Sequence, residues 1–184
     1  MKRRLEIGPA KGGIRGFERL GIDTSVNVDY LYDASEPLPF DDDTFHVVYA
    51  SHVLEHISWE KSLSTLKEWV RITSPSGQLE VWVPDGLQIC EMILKAEKGV
   101  ITNSGEKVPV KYDRYNPYLW ANWRLFNCAR DDEYSKLIDL HKSVFTPNYI
   151  TELMKKAGCK KVWKLAKPRK HRHGICNMGF GGKK

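Results

Sequence analysis

The stretch that most restricts how this chain can fold is Phe45-His46-Val47-Val48-Tyr49-Ala50, a β-branched and aromatic run preceded by Asp41-Asp42-Asp43 and followed at Ser51 by a switch to polar residues. A short apolar run with a turn signal before it reads as a buried strand. Past its end, His52, Glu55 and His56 stand at i, i+3 and i+4, so a helix beginning near Ser51 would set all three on one face. Three ionisable groups at the carboxyl end of a buried strand point to a functional site.

The rest of the chain supplies a sheet for that strand to join. Arg3 to Ile7 reads as a short strand that breaks into Gly8-Pro9-Ala10-Lys11-Gly12-Gly13, a loop whose glycines let main chain approach a ligand closely. Phe17 to Asp23 and Val26 to Asp33 read as two further strands, each ending in an acid. In an open α/β sheet, ligands sit outside the carboxyl ends of the strands, and an acid at the end of the second strand is placed to accept hydrogen bonds from a ribose diol; capping a following turn is its plainer role. Only eight residues separate Gly8 from Phe17, too few for a full crossover helix.

Trp59, Leu63, Leu66, Trp69 and Val70 recur at helical spacing as a core stripe, and Ser74-Pro75-Ser76-Gly77 stops that helix. Leu79, Val81 and Val83 then mark a strand, and Pro84-Asp85 opens a helix carrying Leu87, Cys90 and Leu94. Residues 99–140 break the pattern with a polar and aromatic insertion, which reads either as a lid over a substrate cleft or as an oligomer contact or satellite packing cluster. Thr146-Pro147 starts a last helix with Ile150, Leu153, Met154 and Ala157 on its buried face and Gly158 at its end. Cys159 to Ala166 and Gly174 to Phe180 read as a terminal antiparallel hairpin. The alternation predicts an α/β fold: a Rossmann-like, mostly parallel sheet with helices on both faces and a C-terminal antiparallel hairpin.

At 184 residues, with 41% hydrophobic and 28% charged residues, the expectation is a single globular domain over residues 1–184. No apolar run approaches the roughly 20 residues that span a bilayer, and Met-Lys-Arg-Arg leads into a strand instead of an apolar signal core, so a cytoplasmic protein without a membrane partner is expected. Cys90, Cys128, Cys159 and Cys176 contain no C-x-x-C pair and read as reduced thiols. The net charge of +6 is uneven: Lys160 to Lys184 holds nine Lys or Arg and no acid, whereas the first 159 residues hold 20 Lys or Arg against 23 Asp or Glu. The run Lys167 to His173 is either a patch for phosphate groups of nucleic acid or an anionic substrate, or a solvated hairpin loop.

Taken in order, these motifs resemble the class I S-adenosylmethionine-dependent methyltransferases, and in particular the small methyltransferases of type 11 with a shortened first motif. L-E-I-G-P-A-K-G resembles the first motif, with Glu6, Gly8 and Gly12 matching and Ala10 in place of the middle glycine. The resemblance implies S-adenosylmethionine as cofactor, Glu6, Gly8, Pro9 and Ala10 at the first loop, Asp23 on the ribose, and Asp33 and Ala34 on the adenine beside P-L-P-F-D-D-D-T-F. It implies Ser51 and His52 on the methionine portion, with S-P-S-G-Q-L-E-V-W-V-P as the fifth strand and F-T-P-N-Y-I-T-E-L-M-K-K-A-G-C as the penultimate helix. His52, Glu55 and His141 are candidates for orienting or deprotonating an acceptor, a small molecule or glycan foremost. Two other readings stand beside it. One is an inactive fold that binds nucleic acid or another partner through Lys160 to Lys184. The other uses the H-x-x-E-H pattern of His52, Glu55 and His56 as a hydrolytic metal site. A milder variant of the latter, found in some similar methyltransferases, would hold a divalent metal through Glu55, His56 and His141.

Overall fold

A computed structural model of the chain describes residues 2–102, 105, 116–126, 139–170 and 174–184. Its frame is one seven-stranded sheet in the order β3-β2-β1-β4-β5-β7-β6. The strands are β1 (Arg4–Ile7), β2 (Glu18–Gly21), β3 (Tyr30–Leu31), β4 (Phe45–Ser51), β5 (Thr73–Pro84), β6 (Lys161–Lys164) and β7 (Asn177–Lys183). β1 pairs in parallel with β2 and β4, and β4 with β5; β7 runs antiparallel between β5 and β6. The chain thus carries the expected mostly parallel sheet with an antiparallel C-terminal hairpin.

Register explains how the two faces differ. Leu5 pairs with Val48 and Val48 with Leu79, while Ile7 pairs with Ala50 and Ala50 with Val81, so these six side chains share one face. Helices α1 (Ser62–Ile72) and α4 (Pro147–Lys156) bury Leu66, Trp69, Val70, Ile150, Leu153 and Met154 in the same core. At the start of α4 the Thr146 hydroxyl accepts from Tyr149 N at 3.3 Å with Pro147 behind it, and Gly158, at φ 115°, lies just past its end, as the sequence predicts.

The opposite face carries Glu6, Tyr49 and Glu80 in one paired row. Because the β1–β2 connection is too short for a helix, this face is covered instead by turns and by the loop between β6 and β7. Phe17, Val47, Tyr49 and Trp82 pack there under Ile14 and Leu165. From the basic loop, Arg169 forms a bidentate pair with the buried Glu80 carboxylate, its Nε 2.7 Å from Oε2, and lies over the Phe17 ring. Lys170 Nζ donates to the Gly13 carbonyl at 2.6 Å and the Lys11 carbonyl at 3.2 Å. The basic loop therefore works as an internal cover through Arg169 and Lys170.

Several local expectations are corrected. No helix starts at Ser51: His52 sits at φ 56°, and only one tight turn, Leu54–His56, follows. Trp59 is 64% exposed, so the core stripe of α1 begins later than the spacing implies. Ser74-Pro75-Ser76-Gly77 lies within β5, where the ladder skips from Phe45–Thr73 to Val47–Gln78. Leu87, Cys90 and Leu94 are exposed on α2 (Gly86–Glu97), which instead buries Ile89 against Trp120 of α3 (Pro117–Phe126). In the described part of the insertion Trp120 and Ala121 pack with Ile89 in a cluster of their own; Tyr112 and Tyr115 lie outside the described residues. Among the described residues no helix is long and apolar enough to cross a membrane.

The cover of the second face has a measurable cost of removal. Arg169→Met leaves Glu80 buried without its main partner and is expected to lower unfolding free energy by about 2–3 kcal/mol, with Glu80→Gln recovering part of it in the double variant. Denaturation of the single and double variants checks this; an Arg169→Met protein as stable as wild type would contradict it.

Candidate functional site

The carboxyl ends of β1 to β4 converge on a cavity of about 520 Å³, within the size range of sites for nucleoside-sized ligands. Gly8 and Pro9 reach it from β1, Asp23 from β2, Asp33 and Ala34 from the loop after β3, and His52 from β4. These are six of the nine residues that the sequence assigns to a cofactor. Glu6, Ala10 and Ser51 are not on its wall. Glu6 is buried on the second sheet face, where its Oε2 accepts from Ile14 N at 2.6 Å, so it holds the loop that carries Gly8 and Pro9.

Both strand-end acids are fixed by the turns they start. Asp23 Oδ1 accepts from the Ser25 amide at 2.8 Å and the Ser25 hydroxyl at 2.6 Å. Asp33 Oδ1 accepts from Ser35 N at 2.8 Å. Ala34 is anchored from below, where the fully buried Trp69 indole donates to its carbonyl at 3.0 Å. The neighbouring Leu38-Pro39-Phe40 is not part of the cavity. Leu38 is in the core, Phe40 crosses the Tyr30 and Phe45 rings edge to face, and Arg71 donates to the Phe40 and Leu38 carbonyls at 2.7 and 3.2 Å. That motif braces the site; it does not line it.

At the end of β4 the backbone turns sharply. His52 N donates to Trp82 O at 2.9 Å, and its Nδ1 lies 2.8 Å from Glu55 Oε1. A left-handed non-glycine residue costs about 1–2 kcal/mol, and here it points a histidine into the cavity with a carboxylate behind it. Glu55 is fully buried. Burial alone would raise its carboxyl, but the facing imidazoles of His52, His56 and His141 outweigh that and hold it below the ordinary range. His56 lies on the wall, whereas His141 lies behind it, and burial pushes His141 down to about 4. Glu55, His56 and His141 stand together, with one potential ligand atom of each within 4.8 Å of the others. That grouping displaces the hydrolase arrangement, because His52 and His56 do not share a helical face and His52 faces Glu55 instead.

Sequence reasoning misses Tyr32, Lys61, Asp139 and Lys142, which also line the cavity. Tyr32 is adjacent to Asp33 and Lys142 to His141, so proximity to singled-out residues was the available signal. The position of Lys61, after a loop turn, had none.

Gly8 has a role that a substitution can test. It adopts φ 65°, and a Cβ there would stand 2.3 Å from Val53 Cγ2. Gly8→Ala is expected to lose about 1–2 kcal/mol from backbone strain and more from the contact, with Val53→Ala relieving only the contact. Chemical denaturation reads both parts; a Gly8→Ala protein within about 0.5 kcal/mol of wild type would contradict the geometry.

Residues 13–81 match the family model described as Methyltransferase domain. No curated protein matches the chain. Among solved structures, the fold is similar to a SAM-dependent methyltransferase, possible histamine N-methyltransferase, from Thermotoga maritima, at 18% identity and TM-score 0.54 over 99% of this chain and 82% of that one. It is similar to a SAM dependent methyltransferase from Archaeoglobus fulgidus at 17% identity and TM-score 0.57, covering 100% and 86%. An S-adenosylmethionine-dependent methyltransferase from Clostridium acetobutylicum aligns at 9% identity and TM-score 0.58, covering 99% and 83%. The sheet order and these likenesses give the chain the fold of the S-adenosylmethionine-dependent methyltransferases, and residues 13–81 are similar to the methyltransferase domain.

Proposed function

We propose that the cavity holds S-adenosylmethionine and that the chain methylates a hydroxyl or amine of a small-molecule or glycan acceptor. The observation that carries this reading is the cavity itself, with Asp23 and Asp33 following neighbouring strands and the His52–Glu55 pair at the next. Bound there, the cofactor supplies an electrophilic methyl group on a positively charged sulfur. Gly8 and Pro9 let the main chain approach it, Asp23 accepts from the ribose diol, and Asp33 and the Ala34 backbone meet the adenine. Ala10, Ser51 and Glu6 act one layer back, by shaping the loops that carry these groups.

His52 takes the catalytic role at the acceptor. Its Nδ1 faces Glu55, which leaves Nε2 as the nitrogen able to orient the acceptor and accept its proton. Glu55 positions the ring and offsets the charge that appears on it. His141 does not line the cavity and is assigned to positioning. Much of the rate would come from alignment, since attack on a sulfonium methyl needs a well-placed nucleophile more than strong acid catalysis.

Asp139, Lys61 and Lys142 at the wall suit a polar small acceptor. Arg169, Lys170 and Lys184 are engaged internally, Lys184 with Asp43 and the Arg71 carbonyl, which weakens the case for nucleic acid along Lys160 to Lys184.

Calorimetry with S-adenosylmethionine and S-adenosylhomocysteine tests the assignment. Wild type is expected to bind both, and Asp23→Ala to weaken binding at least tenfold, about 1.4 kcal/mol. Absence of binding to wild type, or unchanged binding by Asp23→Ala, would refute it.

A further inference from the structure

Behind the cavity, three side chains from two distant segments meet without an evident structural purpose. Glu55 and His56 come from the turn after β4, and His141 comes from the strap leading into α4. That strap is pinned to the turn: Lys142 N and Ser143 N both donate to the Glu55 carbonyl, at 2.7 and 3.1 Å, and the Ser143 hydroxyl donates to Ile57 O at 2.6 Å. The chain therefore uses main-chain bonds to bring His141 against Glu55 and His56, and the two imidazole rings cross at 4.9 Å between centroids.

The histidines are presented in one consistent way. His56 Nδ1 lies 3.3 Å from Leu140 O, and His141 Nδ1 lies 3.1 Å from Arg124 O. A carbonyl only accepts, so each Nδ1 carries the hydrogen and each Nε2 keeps a lone pair. Metal-bound histidines are oriented by this same outer contact. Glu55 adds a second, independent sign. Its side chain is wholly buried; His52 Nδ1 meets Oε1 at 2.8 Å, and Oε2 has no hydrogen-bond partner among the described residues. Buried carboxylates in proteins are paired, hydrogen-bonded or metal-bound, and this one keeps an oxygen without a hydrogen bond among the described residues while standing beside the His56 and His141 imidazoles.

We propose that Glu55, His56 and His141 bind a divalent first-row transition ion, zinc being the best fit. Two imidazoles and one carboxylate suit zinc, cobalt, nickel or iron; the set has no thiolate for copper(I) and too few oxygens for magnesium or calcium. Around a tetrahedral ion with bonds of about 2.0–2.2 Å the ligand atoms stand about 3.3 Å apart. The present spread of 4.8 Å closes with side-chain rotations of about 1.5 Å on that same geometry. Three protein ligands leave a fourth position, and because His56 lies on the cavity wall that position can open toward the site. Metal binding itself is independent of the methyl-transfer reading. Only its use, as a seat for an acceptor oxygen or nitrogen, rests on that reading.

The test is titration of zinc chloride into chelator-stripped full-length protein without cofactor, with metal content measured after dialysis. One ion per chain at micromolar or tighter affinity is expected, weakened at least tenfold in His56→Ala and in His141→Ala and unchanged in a His171→Ala/His173→Ala double variant. Circular dichroism confirms folding, and His141→Gln replaces His141→Ala if the latter unfolds. Cobalt substitution should give visible ligand-field absorption in wild type that His141→Gln loses. Failure of folded wild type to retain stoichiometric zinc, or equal retention by the His56 and His141 variants, would overturn the inference. Titration of S-adenosylhomocysteine into the same metal-free protein separates the two readings: cofactor binding without zinc binding refutes only the metal site, and zinc binding without cofactor binding refutes only the methyl-transfer assignment.

Discussion

The Arg169–Glu80 pair spans the gap that the short β1–β2 connection leaves open. A parallel sheet needs both faces covered, and eight residues cannot carry a crossover helix. The second face therefore holds two buried acids, Glu6 and Glu80, either side of Tyr49, and each is matched locally: Glu6 by the Ile14 amide, Glu80 by the Arg169 guanidinium. Lys170 adds a latch on the linker carbonyls. The linker that positions Gly8 and Pro9 is thus braced by a loop more than 150 residues later in sequence. Of a charge pattern that suggests a nucleic-acid patch, Arg169, Lys170 and Lys184 are engaged inside the molecule.

The same economy governs the cavity. Its wall is made of short, strained or turn-forming pieces: left-handed Gly8 and His52, and the Asp23 and Asp33 turns. Each is fixed by something larger, with Val53 packed against Gly8, Trp82 O holding His52, and Trp69 holding Ala34. Strain of about 1–3 kcal/mol per residue persists where the surroundings over-determine it, which is common at functional sites.

Periodicity made the frame legible. The β4 run, the alternation through β5 and the capped α4 all appear where the residues place them, because each signal depends on burial of a nearby face. It failed where partners are remote. Trp59 and Leu87 look like core residues by spacing, yet they are exposed. The H-x-x-E-H spacing implies a helical face, but the backbone reverses at His52 to meet Trp82. Six of the nine cofactor candidates reach the cavity because strand ends in this fold converge regardless of loop detail. Lys61 and Asp139 were hidden because their positions depend on tertiary packing alone.

We propose that the strand ends, not the basic loop, hold a nucleoside cofactor. Amide hydrogen exchange with and without S-adenosylhomocysteine tests it most directly, since it maps binding without needing the acceptor. The account expects slowed exchange in peptides spanning residues 20–26, 31–36 and 50–57, and none in β7. Unchanged exchange in all three peptides, or protection confined to residues 160–170, would contradict it.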